Sequence, residues 1–206
     1  MLAADHSPRC SHKAGTEVTV TTRWRPEFDP NHLYFVTTAT VNHAHILKRD
    51  VVKRIVVDSL YFIPIMNGAR LYAFVVMPNH IHVILQCPEQ FPLSDWARSF
   101  KTSTSQLIIR HYETEGNQQA LAILAASVTR AGKQRYKVWE DGYLAKAVVS
   151  PDFLTQKLEY IHNNPVQPHW GLADAPLSYV WSSAGYYLGV PPTCLIPIED
   201  VRRLLV

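Results

Sequence analysis

The stretch FVVMPNHIHVILQ, Phe74–Gln86, decides how this chain folds. On either side of Met77-Pro78-Asn79 lie runs rich in β-branched and aromatic residues, Leu71–Val76 and Ile81–Leu85. Proline presets φ and asparagine tolerates tight turns, so the stretch reads as two antiparallel strands joined closely. Side chains alternate along a strand. His80 and His82 therefore project from one face, and Ile81 and Val83 from the other. Two imidazoles one i to i+2 step apart on a rigid strand can share a metal ion.

Spacing by itself is weak evidence. Ten histidines in 206 residues give about 0.5 His-x-His pairs by chance. A second pair, His43-Ala44-His45, acts as an internal control. It follows Val41-Asn42 and precedes a charged helix start, which predicts a loop without a metal. For His80 and His82 the alternative is two solvated histidines on an exposed strand face, and the strand alone does not choose.

Outward from the hairpin, His32–Val41 has the composition of a strand. Asp50 can cap a helix over Val51–Phe62, ended by Pro64 and Asn67-Gly68. After the hairpin, Ser94-Asp95 opens a helix to about His111, with Trp96, Phe100, Leu107 and Ile108 on one side. Residues 113–135 read as an Ala-rich mobile insert, part helix. Tyr136–Val149 is another strand or hairpin, interrupted at Glu140-Asp141-Gly142. Ser150-Pro151 is a strong helix start, and Pro165 stops that helix after Asn163. The Pro-rich, aromatic remainder is expected to wrap the surface. This order predicts an α+β fold, a ferredoxin-like sandwich whose antiparallel sheet carries helices mainly on one face.

Length and composition set bounds. At 206 residues, 47% hydrophobic, the chain makes one domain with tails. We read residues 1–28 as a disordered basic arm, 29–190 as the domain and 191–206 as a tail. A net charge of +3 permits a polyanionic partner without requiring one. Three dispersed cysteines, Cys10, Cys87 and Cys194, argue against a disulfide framework or zinc ribbon and for a reducing compartment. Neither a signal peptide nor a membrane span is recognisable. The expectation is a cytoplasmic protein.

On the helix from Pro151, at about 100° per residue, Leu154, Leu158 and Ile161 form a core stripe. Phe153, Lys157, Tyr160 and Asn164 form a second stripe on its flank, and Tyr160 and Asn164, four apart, are neighbours. Taken alone, Tyr160 is a boundary aromatic and Asn164 a helix C-cap. Taken with His80 and His82, the carboxamide completes a mixed N/O donor set with open positions, which suits Mg²⁺ or Mn²⁺ over structural zinc. A tyrosine beside such a metal is a nucleophile candidate. A phenol with a pKa near 10 is ionised about one part in a thousand at neutral pH. A metal polarising a phosphate oxygen compensates for that.

Met77-Pro78-Asn79-His80-Ile81-His82 and Tyr160-Ile161-His162-Asn163-Asn164-Pro165-Val166 together resemble the two hallmark motifs of single-tyrosine HUH transposases, most closely the REP-associated tyrosine transposases. Phe35-Val36-Thr37, Arg98-x-x-Lys101, Trp139 and Trp181-Ser182-Ser183 follow in the family's order, over about residues 32–190. The resemblance implies a metal, Mg²⁺ or Mn²⁺, held by His80, His82 and Asn164. It implies attack by Tyr160 on single-stranded or hairpin DNA, a 5′-phosphotyrosine intermediate and a freed 3′-hydroxyl. Arg98, Lys101 and Lys157 would contact phosphates, and Trp139 would stack on a base or sit in the core. The protein would be nucleoid-associated, as a monomer or homodimer. Two departures remove positive charge: Gln167-Pro168-His169 where the family places a lysine, and Glu140-Asp141 after Trp139.

Rival readings are weaker. A histidine-triad hydrolase needs a third histidine where Ile84 stands, and a two-His-x-Thr/Ser phosphoesterase needs hydroxyls that neither pair has. A non-catalytic nucleic-acid-binding regulator on the same fold is the alternative from another class.

Overall fold

The computed structural model describes residues 27–128, 134–190 and 197–204. Most of the expected arm, residues 1–26, lies outside the described residues. So do residues 129–133 of the insert and 191–196 and 205–206 of the tail.

The hairpin forms as its sequence predicts. Strands β2 (Arg70–Val76) and β3 (His80–Gln86) pair antiparallel, and the Met77 N–H donates to the His80 carbonyl at 2.8 Å to close the turn. Strand β1 (Leu33–Ala39) pairs with β3 on one side and with β4 (Leu144–Val148) on the other, both antiparallel. The sheet order is β2-β3-β1-β4. Helix α1 (Asp50–Asn67) joins β1 to β2, and α2 (Leu93–Thr114) with α3 (Gln118–Ala126) leads to β4. This is the ferredoxin-like α+β arrangement.

Alternation along the strands builds two apolar layers. Ile81, Val83 and Leu85 pack with Val52, Val56 and Leu60 of α1 and Trp96, Phe100 and Ile108 of α2. Ile84 and Phe35 face the other way, toward Leu154 and Ile161 of α4 (Pro151–Asn163). Three helices thus cover one face and α4 crosses the other. His80 and His82 share the α4 face.

Three local expectations change. Helix α1 does not stop near Phe62; it runs through Pro64 and ends at Gly68, in the left-handed conformation with φ 69°. Pro64 forfeits its own bond to the Leu60 carbonyl, but the turn after it still closes, with the Ala69 N–H donating to the Pro64 carbonyl at 3.0 Å, and glycine is the residue that tolerates the closing φ. Asp50 is not the cap but the first helical residue, and its carboxylate accepts from Lys53 Nζ and Trp181 Nε1. The end of the chain does more than wrap: Val76 N–H donates to the Trp181 carbonyl, Ser183 N–H to Phe74 and Glu199 N–H to Leu71, covering the exposed edge of β2. A short 3₁₀ turn, Val201–Leu204, buries Val201 completely. No described helix is long and apolar enough to cross a membrane.

Candidate active site

The register of β1 against β3 places Thr37 opposite His82, and the Thr37 hydroxyl lies 2.7 Å from His82 Nδ1. His80 Nδ1 lies 2.6 Å from Asn79 Oδ1, while Asn79 Nδ2 donates to the His43 carbonyl at 3.1 Å. That second bond orients the amide, so its oxygen faces the ring. An amide oxygen only accepts, so neutral His80 carries its proton on Nδ1 and keeps a lone pair on Nε2. Thr37 can accept from His82 Nδ1 in the same way. Supporting groups of this kind fix the tautomer a metal ligand needs. In the sequence Thr37 carries no signal of this role; for Asn79 the signal is its place directly before His80.

Burial holds both rings neutral. Desolvation pushes His80 down to about 4, helped by His43, and pushes His82 down to about 3, helped by His80 and Lys157. The two rings lie 4.6 Å apart, centroid to centroid.

Helix α4 brings up the rest. Ser150 caps it, its Oγ accepting from the Phe153 N–H at 3.2 Å. Its buried stripe sets the rotation, and the flanking stripe then faces the imidazoles. The Tyr160 ring sits edge-on 5.0 Å from His82 and 6.0 Å from Phe35, which itself stacks on His82 at 5.4 Å. Tyr160 stays 47% exposed, whereas Asn164 is 5% exposed. Lys157 Nζ stands 5.6 Å from the Tyr160 ring and 5.2 Å from the Phe35 ring. From the helix's other side, His162 Nε2 meets Ser183 Oγ at 2.9 Å, and Ser183 also bonds Phe74. That contact pins α4 to β2.

Asn164 Oδ1 and His82 Nε2 are buried with no hydrogen-bond partner. An unpaired buried polar atom costs about 1–3 kcal/mol, so each of these two calls for a partner. Among the described residues no three His, Cys, Asp or Glu side chains gather closely enough to hold a metal. A third protein donor to a cation here would have to be of another type, and the Asn164 oxygen, one helical turn on from Tyr160, is unpaired. Two neutral imidazoles and a carboxamide fit a divalent cation.

The remaining candidates lie elsewhere. Arg98 is exposed on α2, on the opposite face of the sheet, and pairs with Asp95 at 3.0 Å. Lys101 is turned inward and donates to the carbonyls of Glu140 and Gly142, and burial lowers its pKa to about 8. Trp139 is 4% exposed, packs near Phe100 and donates from Nε1 to Thr104 Oγ1 at 2.9 Å. Its ring and its N–H are both engaged with core neighbours on α2.

The family model for IS200-like transposases matches residues 30–164. A solved REP-associated tyrosine transposase bound to a REP hairpin is similar in fold. It is 15% identical, with a TM-score of 0.57 over 87% of this chain and 93% of that one. A crystal structure of a candidate transposase from Deinococcus radiodurans R1 is 21% identical, with a TM-score of 0.42 over 68% of this chain and 95% of that one. No curated protein matches the chain.

Proposed function

The chain belongs to the IS200-like transposase family, and from that premise we propose that it cuts and rejoins single-stranded DNA with Tyr160 as nucleophile. His80, His82 and Asn164 hold a divalent cation, Mg²⁺ or Mn²⁺. The observation that carries this reading is the meeting, within one chain, of the Tyr160 ring with His82, with a buried, unpartnered Asn164 oxygen one helical turn further along. A fold shared with a transposase solved on a REP hairpin supports hairpin-forming DNA as the substrate class, met in the cytoplasm on the nucleoid.

The bound cation would withdraw charge from the scissile phosphate and make its phosphorus more electrophilic. Tyr160 Oη forms the new bond to phosphorus and its proton passes to solvent. The bond to O3′ breaks, and O3′ leaves with the electron pair and takes a proton from solvent. The products are a 5′-phosphotyrosine and a free 3′-hydroxyl. One phosphodiester replaces another, so a 3′-hydroxyl can reverse the step without a nucleotide cofactor. Lys157 offers the nearest positive charge to the phosphate, and Thr37 and Asn79 keep the imidazoles aimed. Arg98, on the far face, serves a more distant phosphate.

Incubating the full chain with hairpin oligonucleotides and Mn²⁺ tests the proposal. A covalent protein–DNA adduct is expected on a denaturing gel, and Tyr160→Phe abolishes it. A shifted band on a native gel with no adduct under any metal would mean a non-catalytic binder.

A further inference from the structure

The chain leaves α4 through a 3₁₀ turn, Asn164–Val166, and then folds back sharply. The N–H groups of Trp170 and Gly171 both donate to the Gln167 carbonyl, at 2.8 and 2.9 Å, and Gly171 adopts φ 52°. This turn sets the half-buried Trp170 indole beside the candidate metal ligands. Its ring lies 5.7 Å from His80, 5.9 Å from His45 and 5.6 Å from His169, tilted by 44–49° to each. His45 and His169 are exposed. They belong to two stretches the catalytic reading leaves unused, the loop pair and the Gln167-Pro168-His169 departure. They are not a second metal site, because among the described residues no three such side chains gather around a cation.

The rings follow one another in a fixed order. Tyr160 touches His82, His82 touches His80, and His80 touches Trp170, at 5.0, 4.6 and 5.7 Å. In a phosphoryl displacement the attacking and leaving oxygens stand roughly in line on opposite sides of phosphorus. With Tyr160 attacking from the His82 end, O3′ departs toward the His80 end, where the indole waits. The nucleoside carrying O3′ is the one immediately 5′ of the cut. We propose that Trp170, flanked by His45 and His169, is the stacking platform for that nucleobase, holding the leaving strand for rejoining. An aromatic face suits this task because every base has a π-face, so it needs no lysine.

The assignment rests on Tyr160 as the nucleophile, and the experiment separates the two. Abasic sites are walked along a hairpin oligonucleotide, and binding to metal-free Tyr160→Phe protein is followed by anisotropy. One position is expected to weaken binding roughly 5- to 150-fold, the range for losing one base–aromatic stack. With Trp170→Ala added that position should cease to matter, whereas Trp170→Phe, which keeps a ring and the fold, should preserve its effect. The adduct formed by wild type locates the cut, and the sensitive nucleotide should lie directly 5′ of it. The proposal fails if no position is coupled to Trp170, or if the coupled one lies 3′ of the cut. A coupled position in a chain that forms no adduct sinks the assignment to the leaving strand together with the Tyr160 chemistry, and shows a base-binding face alone.

Discussion

His43-Ala44-His45 and His80-Ile81-His82 carry the same spacing of the same side chain, and the fold treats them in opposite ways. The loop pair sits on a 3₁₀ turn in which Asn42 and His43 both adopt positive φ, 52° and 50°. Its histidines are exposed. In the strand pair His82 is buried and His80 half-buried, alternation aims both rings at α4, and Thr37 and Asn79 occupy their Nδ1 atoms. The two pairs are also near one another, since the His43 carbonyl orients Asn79 and His45 reaches Trp170. What separates candidate ligand from rim is therefore surroundings: burial, a fixed tautomer, and a helix that brings an unpaired carboxamide to the same face.

The sharpest way to break the contrast is to remove those surroundings one at a time. His82→Ala should abolish Mn²⁺ binding measured by titration calorimetry. Thr37→Val and Asn79→Ala should each weaken it ~10–100-fold, the usual effect of losing a partner behind a ligand. Unchanged affinity in His82→Ala would remove the strand pair from the site altogether.

The hairpin and its histidine face were legible because alternation and Pro-Asn turn chemistry are local signals. Helix α4 was legible for the same reason, from the Ser150 cap and two stripes of different chemistry. The landing of the second stripe against His82 was not, since it depends on how Leu154 and Ile161 pack on the far side of the sheet. Long-range register hid Thr37's partnership with His82, which is set by β1 pairing with β3 across the whole α1 crossover and β2. The sequence leaves Trp139 two readings because composition does not report which aromatic falls under α2. Trp170 carried no signal at all. It lies past the helix in a turn whose course follows from packing against the second apolar layer.

A smaller effect, and one that sharpens the burial half of the contrast, is acid sensitivity. His80 and His82 are held at about 4 and about 3, below the ordinary imidazole value of 6.5. Between pH 6.5 and those values the unfolded chain takes up protons that the folded chain refuses. Stability of the metal-free protein is thus full above pH 6.5 and is lost as pH falls, by about 1.4 kcal/mol per pH unit for each histidine. His162, half-buried and held at about 4 by desolvation, adds to the same slope. Urea denaturation in EDTA from pH 7.5 to 4.5 should show the slope, and His82→Gln should flatten it by one proton. An unflattened slope would mean that His82 protonates freely in the folded chain.

The smallest expected change is the one that asks whether the loop pair is a spectator toward the metal. His43→Asn with His45→Ala removes both imidazoles and keeps what the turn needs. Asparagine tolerates the left-handed conformation at position 43, and the main-chain carbonyl there still accepts from Asn79. Surface changes away from caps and cores stay within about 0.5 kcal/mol, so the unfolding midpoint should barely move. Mn²⁺ affinity should stay within about two-fold, against the ~10–100-fold expected when Asn79 itself is lost. A loss as large as Asn79→Ala would show that His43 acts on His80 through its ring, and the contrast between the two pairs would collapse into a single four-imidazole site. A loss confined to DNA binding would leave the metal contrast intact and move His45 onto the side of Trp170.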